Sequence, residues 1–107
     1  MNILNEMIFI INQTFDLERK AAKITEKNSL GRNLQRLRAK YSEMGFEVHD
    51  PLGEAYNETR TDCEASISGD SNHNLHIVEV IKPIIRLQQG AAMMIVQKAV
   101  VLVDSKV

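Results

Sequence analysis

A chain of 107 residues with two Pro and five Gly has room for one compact domain, or for one domain with a short appendage. With no Trp, two Tyr, three Phe and five Met, its interior has to be filled by Leu, Ile, Val and Met. The 13 basic and 14 acidic residues nearly cancel, which argues against a nucleic-acid ligand, whose affinity rests on a basic excess that neutralises phosphate.

Cys63 is the single cysteine, which excludes an internal disulfide and a cysteine-rich zinc site and makes a reducing, cytoplasmic compartment the economical reading. The opening segment is apolar in patches, Met7 to Ile11 above all. Glu6 interrupts it, no basic leader precedes it, and polar residues follow within a few positions. The expectation is neither a signal peptide nor a membrane span.

From Ile3 to Ile24 the apolar residues fall on two adjacent heptad tracks. One holds Ile3, Met7, Ile10, Leu17, Ala21 and Ile24, and the other holds Leu4, Ile8, Ile11, Phe15 and Ala22. The predicted helix is apolar over a broad face that needs neighbours on two sides, as in a four-helix bundle, whereas a two-stranded coiled coil needs one narrow seam. Thr14 and Glu18 interrupt the tracks, and the polar half from Asp16 onward leaves the packing to the first half.

Residues 25–29 form a polar break in which Asn28 or Ser29 can cap a second helix. That helix carries Leu30, Leu34, Leu37, Tyr41 and Met44 at 4-3-4-3 spacing, with Arg32, Arg36, Arg38 and Lys40 elsewhere around it. The basic residues lack interleaved aromatics and read as a solvated exterior, not as a nucleic-acid or membrane face. Gly45 stands where a left-handed C-terminal cap is wanted. Two such helices make an antiparallel hairpin, and two hairpins make a four-helix bundle. A short hairpin buries little surface by itself, so a second copy of the chain helps to close its core. The expected dimer contacts are Leu4, Ile8, Ile11, Phe15, Leu34, Leu37 and Tyr41.

After Gly45 the helical period gives way to alternation. Phe46 and Val48 form a short strand, and Asp50-Pro51-Leu52-Gly53 is a turn. Cys63, Ala65 and Ile67 alternate with polar residues, residues 69–72 make a turn, and Leu75 to Ile85 is a β-branched run with Pro83 near its end. These two runs predict strands of one half-buried sheet. Gln88-Gln89-Gly90 is a further turn, and Met93 to Val103 supplies one or two last strands, broken or bulged around Gln97-Lys98. The fold class is therefore α+β: a helical hairpin over residues 1–45, then a small, mainly antiparallel β domain over 46–107.

No constellation points to covalent chemistry or to a cofactor. His49, His73 and His76 share the C-terminal half with Asp50, Asp62, Glu64, Asp70 and Glu79, yet no pair shows an established metal-ligand spacing. Asp62 and Glu64 flank Cys63 and raise its pKa, so a small strand residue is the better reading than a nucleophile. The glycines at 31, 45, 53, 69 and 90 are isolated, so no phosphate loop is present. A histidine–carboxylate enzyme site is the weakest reading, and it would need a pocket converging on His49 or His76.

The stretch from Met44 to Asn57, Met-Gly-Phe-Glu-Val-His-Asp-Pro-Leu-Gly-Glu-Ala-Tyr-Asn, resembles the junction between bundle helix and β domain in GrpE, the nucleotide exchange factor of DnaK-type chaperones. Glu64-Ala65 stands where that family has His-Glu-Ala. The run Ile77 to Pro83 is similar to its Val-x-Glu-Val strand, and Gln97 to Val103 to its closing Arg-Pro-Ala-x-Val-x-Val. The resemblance covers residues 15 to 103 in order and spacing. It implies a homodimer whose helices form a four-helix bundle and whose β domain opens a chaperone ATPase domain to release ADP, with Lys82, Pro83, Ile85, Arg86, Gln97, Lys98 and Ala99 as partner contacts. The sequence starts at the bundle helix, so the family's long leading helices are missing or lie outside it, and it departs from the family in Cys63 for His and in Ile84-Ile85 for Gly-Tyr. These departures make a diverged adaptor or structural protein, binding a partner other than a chaperone, the second expectation.

Overall fold

The computed structural model describes residues 2–24, 29–69 and 73–105. The chain divides into two compact units, Met1–Glu47 and Val48–Val107.

The first unit is a helical hairpin. Helix α1, Ile3–Ala22, starts at Asn2, whose side-chain oxygen accepts from the Asn5 N–H at 3.3 Å, a cap not foreseen from the sequence. Helix α2, Leu30–Glu43, starts at Ser29, but the Ser29 hydroxyl makes no capping bond, and Asn28 lies outside the described residues. The expected side-chain cap is therefore not made by Ser29, whose backbone stands at φ −94°, ψ 4° and not in the extended region that aims a capping hydroxyl at the first turn. The helices pack as an antiparallel pair, tied by a 3.1 Å ion pair from Arg38 on α2 to Glu18 on α1. Gly45 ends α2 with φ +95°, the left-handed cap that its position predicts.

The two apolar tracks of α1 meet different fates. Ile11, Phe15 and the interrupting Thr14 are buried, and the Thr14 hydroxyl donates to the Ile10 carbonyl at 2.9 Å, so the polar group costs little there. On α2 the buried positions are Leu34 and Tyr41, while Leu30, Leu37 and Met44 are exposed. The single seam of α2 is thus split, with alternate members turned in and out.

The second unit holds most of six strands in two small sheets. β1 (Phe46–His49), β4 (Ile84–Gln89) and β5 (Ala92–Gln97) form one, in the order β1-β4-β5. β2 (Cys63–Ile67), β6 (Ala99–Ser105) and β3 (Leu75–Lys82) form the other, in the order β2-β6-β3. β3 runs antiparallel to β6 and β4 to β5, but β2 runs parallel to β6. The α+β class is as expected.

One strand expectation is corrected. Residues 75–85 are not one strand: the chain breaks at Pro83, and β3 and β4 belong to different sheets. Pro83 has no N–H to give to a ladder, and its carbonyl is instead held by the Gln97 side chain at 2.9 Å. Gln97-Lys98 marks the matching break between β5 and β6. Ile77, Val80, Ile84, Ile85, Ala99, Val101 and Val103 are buried and make up the core of this unit.

Candidate interaction surfaces and an ionic cluster

On α1 the exposed large aliphatic residues are Ile3, Ile10 and Leu17, a seven-residue spacing that Ile24 continues two positions past the helix end, and on α2 they are Leu30 and Leu37, a spacing that Met44 continues at the C-cap. Each exposed stripe lies on the same rotational side of the buried positions of its own helix. In an antiparallel pair this puts both stripes on one face of the hairpin. Ile3 is 72% exposed, Leu17 53% and Leu37 42%. Together the seven side chains offer on the order of 700 Å² of apolar surface, above the ~300–600 Å² of the largest patch on a typical monomer. It approaches the roughly 800 Å² that each partner contributes to a standard interface.

Of the residues expected at a dimer contact, Ile11, Phe15, Leu34 and Tyr41 are already buried within a single chain, Leu4 and Ile8 are half-buried, and Leu37 alone is exposed. Burial beside Glu18 also pushes the Tyr41 hydroxyl up to about 12, so it stays protonated. The uncovered face belongs instead to the other α1 track, through Ile3, Ile10 and Leu17.

The expected partner contacts separate in the same way. Pro83, Ile85 and Ala99 are all completely buried. Arg86 is half-buried, with its guanidinium 3.7 Å from Asp62, and Gln97 is half-buried and engaged with Pro83. Lys82 and Lys98 are exposed. A surface missed by sequence reasoning lies on β5, an outer strand of its sheet, where Met93, Met94 and Ile95 are all exposed although successive residues face opposite sides. An apolar run reads the same in a central strand and at an edge, so no signal was available to find it.

A second feature missed at the sequence level is a connected group of charges in the second unit. Arg60 donates to Asp62 at 2.6 Å, to Glu54 at 2.7 Å and to the Ala55 carbonyl at 3.1 Å. The Nε2–H of His49 donates to the other oxygen of Glu54 at 2.6 Å. The His49 hydrogen bond, reinforced by Arg60, holds the Glu54 carboxyl below its usual range, and Arg60 does the same for Asp62. Each carboxylate makes Arg60 in turn harder to deprotonate.

Cys63 is buried beside this cluster. Its thiol is pushed up to about 11, mainly by burial and further by Asp62, against the opposing pull of Arg60. It is therefore an inert thiol at neutral pH. Among the described residues no three His, Cys, Asp or Glu side chains stand close enough together to hold a metal ion. No helix of the described residues is long and apolar enough to cross a membrane.

Comparison of the chain with protein-family models, with curated proteins and with solved structures returned no match.

Proposed function

We propose that this chain works by binding proteins and not by covalent chemistry, as a homodimer joined through the uncovered face of its helical hairpin. The observation that carries this reading is the pair of seven-residue repeats, Ile3-Ile10-Leu17-Ile24 and Leu30-Leu37-Met44, left in solvent on one face. A second copy bringing the same face completes a four-helix bundle, and a self-complementary patch with a regular repeat suits a two-fold contact. In its specific form the proposal is a cytoplasmic, GrpE-like co-chaperone that promotes ADP release from a DnaK-type ATPase domain. The support is the order of motifs from Met44 to Val103 together with a helical hairpin leading into a small β domain. Such exchange needs only tighter binding to the open state of the ATPase domain than to the closed one. The test is release of labelled ADP from a DnaK-type chaperone at saturating protein. Acceleration supports the co-chaperone reading, and an unchanged rate removes it.

The burial of Pro83, Ile85 and Ala99 favours a second reading, a diverged adaptor with a different protein partner. In that reading the contact falls to Lys82, Lys98 and the exposed Met93, Met94 and Ile95 of β5. A pull-down from the native host that returns one stoichiometric partner and no chaperone decides for it.

A further inference from the structure

We infer that Arg60 is a latch that holds the segment between β1 and β2 as a strap along the outer edge of β3. This inference stands apart from the self-association and chaperone readings. β3 gives one edge to β6. Its other edge is covered by residues 53–56. Gly53 N–H donates to the Ile77 carbonyl, Ile77 N–H to the Glu54 carbonyl and Tyr56 N–H to the Leu75 carbonyl, each at 2.9 Å, with Ala55 opposite His76. Three backbone bonds and a single bridge are little to hold a strand, and strand pairs of this size are marginal when nothing else fixes them.

Arg60 supplies the missing restraint. Its planar fork spans Glu54 and Ala55 on the strap and Asp62 at the entry to β2. Asp62 is itself anchored, because its carbonyl accepts from Ala99 N–H of β6 at 3.0 Å. The restraint therefore runs from β6 through Asp62 and Arg60 to the strap on β3. His49 of β1 grips Glu54 from the other side, Arg86 of β4 faces Asp62, and the protonated Cys63 of β2 lies alongside. A guanidinium makes these bonds from three separate nitrogens held in one rigid plane, whereas an ammonium would have to make them all from one atom on a flexible stem. Closing the latch keeps the backbone groups of Leu75 and Ile77 from pairing with another chain, the standing hazard of an edge strand. Protonation of Glu54 or Asp62 opens it.

The strap's own amides report its state. In the full chain, hydrogen exchange at Gly53, Tyr56 and Ile77 is compared between the natural protein and Arg60→Met. The expected result is exchange about tenfold or more faster at these three amides, with Val101 and Val103 of β6 little changed, as for a local opening. Unchanged protection at the three amides overturns the proposal, and so does an equal acceleration at Val101 and Val103. Should Arg60→Met fail to fold, Glu54→Gln is read at the same amides. It keeps the side-chain shape and removes one charge from the grip, and unchanged exchange there overturns the latch equally.

Discussion

Replacing Leu17 by Asp separates the proposed dimer face from the interior of the hairpin. Leu17 is 53% exposed in the single chain, which leaves about 100 Å² to be covered by a second copy, worth about 2.5 kcal/mol at 25 cal/mol per Å². A two-fold dimer contains two copies of the site, so the substitution removes about 5 kcal/mol from association, a weakening of roughly three to four orders of magnitude in Kd. Desolvation of the introduced carboxylate adds to that loss. Folding of the single chain is spared, because Leu17 contributes little to the monomer's interior. Sedimentation equilibrium at micromolar protein, with melting followed by far-ultraviolet circular dichroism on diluted samples, reads both quantities. The expectation is a dimer for the natural chain, a monomer for Leu17→Asp, and similar helical content at concentrations where both are monomeric. A dimer that survives Leu17→Asp with unchanged affinity refutes the assignment of this face.

Ile85→Ala, at a fully buried position, is expected to cost about 2–5 kcal/mol of stability, whereas Lys82→Ala and Lys98→Ala change it by no more than about 0.5 kcal/mol. Chemical denaturation distinguishes these outcomes, and a neutral Ile85→Ala would contradict the core described here. Glu54 and Asp62 have folded pKa values below their unfolded ones, so their contribution is present above about pH 4 and is lost as the pH falls through the lower folded values. Melting temperatures between about pH 6 and 3 should fall less steeply for Glu54→Gln and Asp62→Asn than for the natural chain. Parallel slopes would count against the ionic cluster. Cys63, with its thiol pushed up to about 11, should react slowly with iodoacetamide in the native protein at neutral pH and quickly once unfolded. The sign is opposite to that of the carboxylates, since its contribution is present below the unfolded thiol pKa and lost as the pH rises towards 11.

How much of this was legible in the sequence differs from element to element. The hairpin was, because heptad spacing from Ile3 to Met44 reports helical faces directly, and Gly45 at φ +95° is the stop that such a helix needs. The existence of two α1 tracks was legible too. Which track a single chain covers was not, because Ile10 and Ile11 have the same chemistry and only the placement of neighbouring elements chooses between them. In the β unit, the alternation at Cys63, Ala65 and Ile67 located β2. The run from Leu75 to Ile85 hid a change of sheet whose one sign was Pro83.

The site was less legible than the fold. Arg60 joins Glu54 to Asp62 only because residues 53–56 fold back on β3, a contact between segments about 20 residues apart that no local period announces. The family resemblance placed partner contacts at Pro83, Ile85 and Ala99, yet these pack inward, since apolar β-branched and small residues beside a strand break serve a core as well as a surface.

The most direct test of the central claim is a mixed sample of differently isotope-labelled chains, in which contacts between copies are detected from individual methyl groups. Intermolecular contacts are expected from Leu17 and Leu37 and none from Ile11. A sample that sediments as a single chain, or one whose intermolecular contacts avoid Leu17 and Leu37, would contradict it.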